Sequence, residues 1–111
     1  MAKYLLRHAK SPAVTIANGA TDSSVLTIDN YSFGLFTIPS AFTGATVSFL
    51  VSADGVTFVP LRNASNTLIS YTVTPSNAYP FPDEVGAAFA VKIRSASAEG
   101  AARTIVVSVK S

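Results

Sequence analysis

The sequence contains no Cys and no Trp, and it has one His among its 111 residues. Without Cys there is no disulfide, no thiolate nucleophile and no cysteine-ligated zinc or iron–sulfur site. A single His excludes a His-rich metal site, and it leaves few residues from which a nucleophile and its base are assembled. We therefore predict that the protein is not an enzyme and that it binds no metal or cofactor.

Charged residues are also scarce. Asp, Glu, Lys and Arg make up 13% of the chain, whereas hydrophobic residues make up 49%; a typical protein is roughly 25% charged. This composition argues against disorder. Stable protein interfaces are depleted in Lys, Glu and Asp, so we predict that much of the surface contacts other protein molecules. The alternative is a free β-domain whose surface is neutral because it is rich in Ser and Thr.

Long apolar runs are missing as well. No run approaches the roughly 20 residues of a membrane-spanning helix. Near the N-terminus, the apolar residues Tyr4 to Leu6 are followed directly by Arg7, whereas a signal peptide needs an apolar stretch of roughly 7–15 residues. We therefore expect a protein that contacts no membrane and is made in the cytoplasm of its host cell.

The net charge of +2 hides an asymmetry along the chain. Residues 1–11 carry Lys3, Arg7 and Lys10 and no acid, whereas residues 12–111 carry five bases and six acids. The second part is therefore not a basic platform for nucleic acid. We predict a basic N-terminal arm over residues 1–11 and a folded domain over residues 12–111.

The arm combines its bases with three large apolar side chains, Tyr4, Leu5 and Leu6. In an extended form, it would lay Tyr4 and Leu6 into a groove while its bases meet an acidic partner. Three positive charges would hold nucleic acid only in a weak, salt-sensitive way, so we predict a protein partner and no nucleic acid. The alternative is a frayed terminus without a partner.

Beyond Pro12, apolar and polar residues alternate with a period near two, and turn-forming residues interrupt the pattern at short intervals. This pattern is typical of an all-β domain. Asp54-Gly55, between two alternating runs, predicts a β-hairpin. Pro82, followed by two acids, predicts the first turn of a brief helix. We predict a single-domain β-sandwich or jelly roll of about seven or eight mostly antiparallel strands. The predicted core comprises Val47, Phe49, Val51, Phe58, Phe89, Val91, Ile93, Ile105, Val107 and Val109.

The hairpin sequence Ser-Ala-Asp-Gly-Val-Thr-Phe at residues 52–58 resembles two known signatures, the Asp-box of sialidase-like propellers and a hairpin of discoidin-like, sugar-binding sandwiches. The alternative is a turn in which Asp54 caps its own backbone. We expect the acids of the chain to be solvated loop residues, with no catalytic pair among them. They are Asp22, Asp29, Asp54, Asp83, Glu84 and Glu99.

Residues 36–44 (Phe-Thr-Ile-Pro-Ser-Ala-Phe-Thr-Gly), 47–49, 52–61 and 101–105 together resemble small virion proteins of tailed bacteriophages. The resemblance implies a β-sandwich capsid decoration, or cement, protein. Such a protein would bind the outer surface of the phage capsid as an oligomer, typically a trimer, and stabilise the head by bridging subunits of the major capsid protein. It would be found on the exterior of the virion.

The arm lies outside the part of the chain that carries this resemblance, so its role is predicted from its chemistry alone. The predicted capsid-binding residues are Lys3, Tyr4, Leu5, Leu6, Arg7 and Lys10. A different class of function also fits the hairpin signature, namely a carbohydrate-binding module of a phage tail or fibre.

Overall fold

Short β-strands dominate this computed structural model, which describes residues 9–28, 31 and 33–110. In chain order the strands are β1 (Ala9–Lys10), β2 (Ala13–Ile16), β3 (Leu26–Thr27), β4 (Phe33–Thr37), β5 (Thr46–Ser52), β6 (Val59–Pro60), β7 (Ser70–Thr72), β8 (Ala78–Pro80), β9 (Ala90–Ser95) and β10 (Arg103–Lys110). The 3-10 helix η1 (Asp83–Ala87) lies between β8 and β9.

The strands form two antiparallel sheets. In the first sheet the order is β1, β10, β4, β8, and β2 lies along the same edge of β10 as β1. In the second sheet the order is β3, β9, β5, β6, and β7 also pairs with β5. The non-consecutive neighbours mean that the chain crosses repeatedly between the sheets. These observations confirm the predicted all-β sandwich within a single domain.

The core between the sheets follows from the alternation of the longer strands. On β10, Ile105, Val107 and Val109 are buried while the residues between them are exposed or half-buried. The ring centroids of Phe36 on β4 and Phe49 on β5 lie 5.7 Å apart in an edge-to-face arrangement. This contact joins one sheet to the other, and such aromatic pairs add stability beyond the area they bury.

Part of the predicted core is wrong. Val51 and Phe58 are only half-buried, and Phe89 is 38% exposed. Phe89 precedes β9, and its ring lies so close to Gly55 that a Cβ at that position would come within 3.0 Å of Phe89 Cε2. Phe89 therefore covers the hairpin turn and not the core.

Several core residues were missed because they lie on short strands or in loops. They are Val14, Ile16, Leu26, Ile28, Phe36, Ile38, Phe42, Val73 and Val85. Short strands have too few alternating positions to mark a buried face by periodicity alone.

The predicted hairpin is present, but its second strand is shorter than the sequence indicates. β5 pairs with β6 so that Leu50 is opposite Pro60 and Val51 is opposite Val59. Residues 56–58 belong to the connecting loop, since the carboxylate of Asp54 accepts hydrogen bonds from backbone amides there. The predicted helical turn is also present as η1, which begins directly after Pro82.

We predict that replacing Phe49 by Ala lowers the free energy of unfolding by about 3–5 kcal/mol, since it empties the centre of the aromatic contact between the sheets. Replacing Phe89 by Ala removes the same atoms from an exposed position, and the expected loss is no more than about 1 kcal/mol. Urea denaturation of both variants measures the difference. Equal losses would contradict the placement of these two rings.

Candidate interaction surfaces

Over four neighbouring strands, the described side chains on the outward side of the first sheet are uncharged except for Lys110 at the end of β10. We call the uncharged part of this side the neutral face; it consists of Ala13, Thr15, Leu35, Thr37, Ala78, Pro80, Thr104, Val106 and Ser108. The strand register places Val106 of β10 between Ala13 and Thr37, and it places Leu35 of β4 between Ser108 and Pro80. These residues are therefore contiguous across the sheet.

The neutral face is unusual for a sheet that meets water. An antiparallel sheet with one solvated side normally alternates apolar residues inside with polar residues outside. Here Leu35 is 44% exposed and Val106 is 52% exposed on adjacent strands. Lys110 continues the outward row of β10 and puts a positive charge at one end of it. A partner can cover such a face without removing an ion from water, which is the expensive step in many interfaces.

The outward side of the second sheet is different, because it carries charges that are paired. Arg94 on β9 donates from Nε to Asp22 Oδ1 at 2.7 Å and from Nη2 to Asp22 Oδ2 at 3.1 Å. The hydrogen bond from Arg94 holds the pKa of Asp22 below its ordinary value. On the same strand, the ammonium of Lys92 lies 4.7 Å from the ring centroid of Phe58.

A shallow concavity of about 410 Å³ lies beside Arg94 on this second sheet. Its lining is rich in hydroxyl groups, including those of Ser48 and Ser70, and Leu68 contributes an apolar side chain. No aromatic ring is among the lining residues that the structure describes. The concavity therefore offers hydrogen bonds but no stacking platform.

The loop after β5 is held by its own side chains. Oδ1 of Asp54 accepts hydrogen bonds from the amides of Val56 at 2.8 Å and Thr57 at 3.0 Å, and Ser52 donates its hydroxyl to the same oxygen at 2.9 Å. The backbone hydrogen bonds from Thr57 and Val56 lower the pKa of Asp54 to about 2. Gly55 has a φ of 82°, a conformation that side chains rarely adopt. Asp54 therefore caps its own backbone, as the simpler of the two sequence predictions stated.

A groove of about 230 Å³ opens at one end of the sandwich. Its walls come from the end of β10, the beginning of β4 and the segment around η1, and they are mostly apolar; the lining includes Ile28, Gly34, Phe81, Val85 and Val109, with Asp83 at the rim. A Cβ at Gly34 would lie 2.9 Å from Phe81 Cδ2 and 3.0 Å from Val109 Cγ1. Because Gly34 has no side chain, Phe81 and Val109 can both pack close to its backbone.

The prediction that every acid is a solvated loop residue is wrong for Glu99. This side chain is 1% exposed, and its carboxylate lies among donors from three parts of the chain. Thr43 donates from its amide and hydroxyl, both at 3.0 Å, and Gly44 donates its amide at 3.1 Å. The hydroxyl of Ser95 donates at 3.0 Å, and Nε of Arg103 donates at 2.9 Å.

Burial raises the pKa of Glu99, but the hydrogen bonds from Arg103, Thr43 and Ser95 outweigh it, so the pKa lies below its ordinary value of 4.5. The site is tightly built, since a Cβ at Gly44 would overlap the hydroxyl of Ser95. The donors around the carboxylate come from the loop before β5, the end of β9 and the beginning of β10, so the arrangement is a structural anchor.

The predicted capsid-binding residues lie mostly outside the described part of the chain. Residues 1–8, which include five of the six, are not described, and of Lys10 only the backbone is described. That backbone belongs to β1, where Ala9 pairs with Lys110 and Lys10 pairs with Val109. The residues before β1 are thus attached beside the groove.

Among the described residues, no group of three or more His, Cys, Asp and Glu is arranged to hold a metal ion. No helix of residues 9–28, 31 and 33–110 has the length and apolar character needed to cross a membrane. No buried side-chain nitrogen or oxygen in this part of the chain lacks a hydrogen-bond partner.

Of three comparisons with known proteins, the one with solved structures finds a match. No protein-family model matches the chain, and a search of curated proteins finds no match. A solved structure, that of the SPBc2 prophage-derived protein YomS, superimposes with a TM-score of 0.60 at 16% sequence identity. The match covers 98% of this chain and 100% of YomS, so the two proteins share their fold over essentially their whole length.

We predict that replacing Glu99 by Gln lowers the free energy of unfolding by about 3 kcal/mol at neutral pH, because it leaves the partly buried guanidinium of Arg103 without its counter-charge. Replacing the exposed Glu84 by Gln is the matched control, with an expected change within about 0.5 kcal/mol. Urea denaturation measures both.

The pH dependence of the Glu99 variant follows from the lowered pKa. A carboxyl with a lower pKa in the folded state stabilises the protein fully above its unfolded pKa, and this stabilisation is lost as the pH falls through the folded pKa. The stability difference between the wild type and Glu99→Gln should therefore shrink below about pH 4.5. A difference that grows on acidification would contradict the assignment of Glu99 as an ionised anchor.

Proposed function

We propose that this chain is a structural protein of a phage particle that binds the outer surface of the capsid as an oligomer, most simply a trimer. In this proposal, it bridges subunits of the major capsid protein and opposes their separation. The observation that carries the proposal is the neutral face, where Leu35 and Val106 are exposed on adjacent strands without any neighbouring ion pair. A free domain has little use for such a surface.

Two further observations support this function. The fold is shared with a prophage-derived protein, which makes a phage origin the natural context. The chain is also poor in charge throughout, with 13% charged residues, as expected of a surface that is largely covered in an assembly. Many modest contacts repeated over a lattice add through avidity, so each copy needs only a small interface.

The neutral face faces the shell in this account. A flat sheet surface fits a broad protein surface better than it fits a small molecule, since ligand sites are concave. The bases predicted in the arm, Lys3, Arg7 and Lys10, would contact acidic groups of the assembly. The paired charges of Arg94 and Lys92 on the opposite sheet would then point to solvent and keep the decorated particle soluble.

We predict that Val106→Glu weakens binding to phage heads that lack this protein by at least about tenfold, because the new carboxylate would be buried without a partner. Val59→Glu is the matched control: Val59 is 54% exposed against 52% for Val106, and it lies on the second sheet. Co-sedimentation with heads measures binding, and circular dichroism checks that both variants remain folded. Equal binding by the two variants would contradict the assignment of the face.

Oligomerisation is tested separately by sedimentation velocity of the full chain. The proposal predicts a mass near three chains, or trimeric density on particles. A monomer that also fails to bind heads would overturn it.

A second candidate function is carbohydrate binding, favoured by the hydroxyl-lined concavity beside Arg94. Arginine and serine side chains supply hydrogen bonds to sugar hydroxyls, and Leu68 supplies an apolar contact. A glycan array probed with the full chain tests this candidate. Binding that Ser70→Ala weakens would support it, and a silent array would contradict it.

A further inference from the structure

We propose that the groove at the end of the sandwich receives the side chain of Leu5 from a second copy of this chain. The proposal rests on the oligomer proposed above and names the contact that joins its copies. Four features of the molecule carry it: the size of the groove, the place where the arm is attached, the direction of β1 and the distribution of charge.

The groove has the size and chemistry to take a large apolar side chain. Its volume is about 230 Å³, and a cavity of about 150 Å³ lined by aliphatic and aromatic residues already binds benzene. Phe81, Val85 and Val109 supply an apolar lining. Val85 and Val109 are also part of the buried core, so a side chain in the groove would extend that core.

The arm is attached at the same end of the sandwich. Lys10, Val109 and Gly34 form one row across three neighbouring strands, and the last two of these residues line the groove. Ala9 pairs with Lys110, one position closer to that end. Ala9, to which residues 1–8 are attached, therefore lies near the groove.

The direction of β1 favours the groove of a neighbour over the groove of the same chain. β1 runs antiparallel to β10 with Ala9 opposite Lys110, so an arm that extended β1 in a straight line would pass the end of β10. Residues 1–10 contain no Gly, Pro, Asn, Asp or Ser, the residue types that favour tight reversals. An arm that keeps this direction places Tyr4 up to about 17 Å beyond Ala9, which is within reach of an adjacent molecule.

The charges of the arm and the groove are complementary. Asp83 lies at the rim, Glu84 follows it, both are exposed, and within the described residues neither forms an ion pair. Lys3 and Arg7 flank the apolar residues of the arm on either side. With Leu5 in the groove, these two bases would lie near the acids of the neighbouring copy.

Such a contact joins two different surfaces, an arm and a groove. Contacts of this kind build rings when the rotation between copies closes. The arrangement is therefore compatible with a closed trimer in which every arm occupies the next groove. It also leaves the neutral face free to contact the shell.

A charge exchange between full-length variants tests the proposal. One variant carries Lys3→Glu and Arg7→Glu, and the other carries Asp83→Lys and Glu84→Lys. Each variant alone sets like charges against each other and should associate about tenfold more weakly than the wild type. A variant that carries all four substitutions restores opposite charges at every contact between an arm and a groove, including all three contacts of a closed trimer, and should restore association in sedimentation velocity. Charge-reversed variants that associate like the wild type, or a four-substitution variant that stays dissociated, would overturn the proposal.

A cross-linking experiment places the contact directly, because the chain has no native Cys. Leu5→Cys is mixed with Gly86→Cys, which lies in the groove lining, and oxidised. The matched control pairs Leu5→Cys with Gly100→Cys, an exposed position where an added Cβ would meet no described atom within 4 Å outside its chain neighbours. We expect disulfide-linked dimers from the first mixture and few from the control.

Equal yields from the two cross-linking mixtures would overturn the proposal. This outcome is separable from a failure of the proposed function. If the groove contact is absent but Val106→Glu still impairs head binding, the arm inference alone is wrong. If head binding is absent while the cross-link forms, the association of copies stands and the capsid role is wrong.

Discussion

The distribution of a small number of charges is the constraint on which the account depends. Among the described residues, Glu99 holds Arg103, Asp22 holds Arg94, and Lys92 lies over an aromatic ring. Of these five charged side chains, Asp22, Lys92 and Arg94 lie on the outward side of the second sheet, and Glu99 and Arg103 lie where β10 begins. The opposite sheet is left as a continuous surface of small, hydroxyl-bearing and apolar residues, which meets another protein at little electrostatic cost.

The same constraint explains why the fold stays defined although its strands are short. The aromatic contact between Phe36 and Phe49 joins the sheets near the centre, while Glu99 fixes the loops that precede β5 and β10. Both contacts depend on residues far apart in the chain. The sandwich is thus held by its interior and by one buried carboxylate, and the neutral face takes no part in either and remains available for binding.

The sequence predicts the architecture well because the relevant signals are local. The period-two pattern predicts the sheets, Asp54-Gly55 predicts the hairpin, and Pro82 with the acids after it predicts the brief helix. The buried carboxylate and the neutral face were harder to predict from the sequence. From the sequence alone, Glu99 looks like an ordinary loop acid. Its partners are 4 to 56 residues away along the chain, so no local pattern marks the contact. The neutral face exists only through register, which sets Val106 beside Thr37 and is not visible in any one segment.

For the arm as well, the sequence predicts the chemistry of a partner, whereas its location depends on the structure. Its mixture of bases and apolar residues suggests a groove and an acidic partner, but only the pairing of Ala9 with Lys110 places it beside such a groove.

The central claim is that the neutral face is covered in an assembled particle. A cryo-electron microscopy reconstruction of the phage that encodes this chain tests it most directly. We predict sandwich-shaped density on the outside of the head, with β4 and β10 turned towards the shell. Density in which those strands face solvent, or a particle without the chain, would contradict the account.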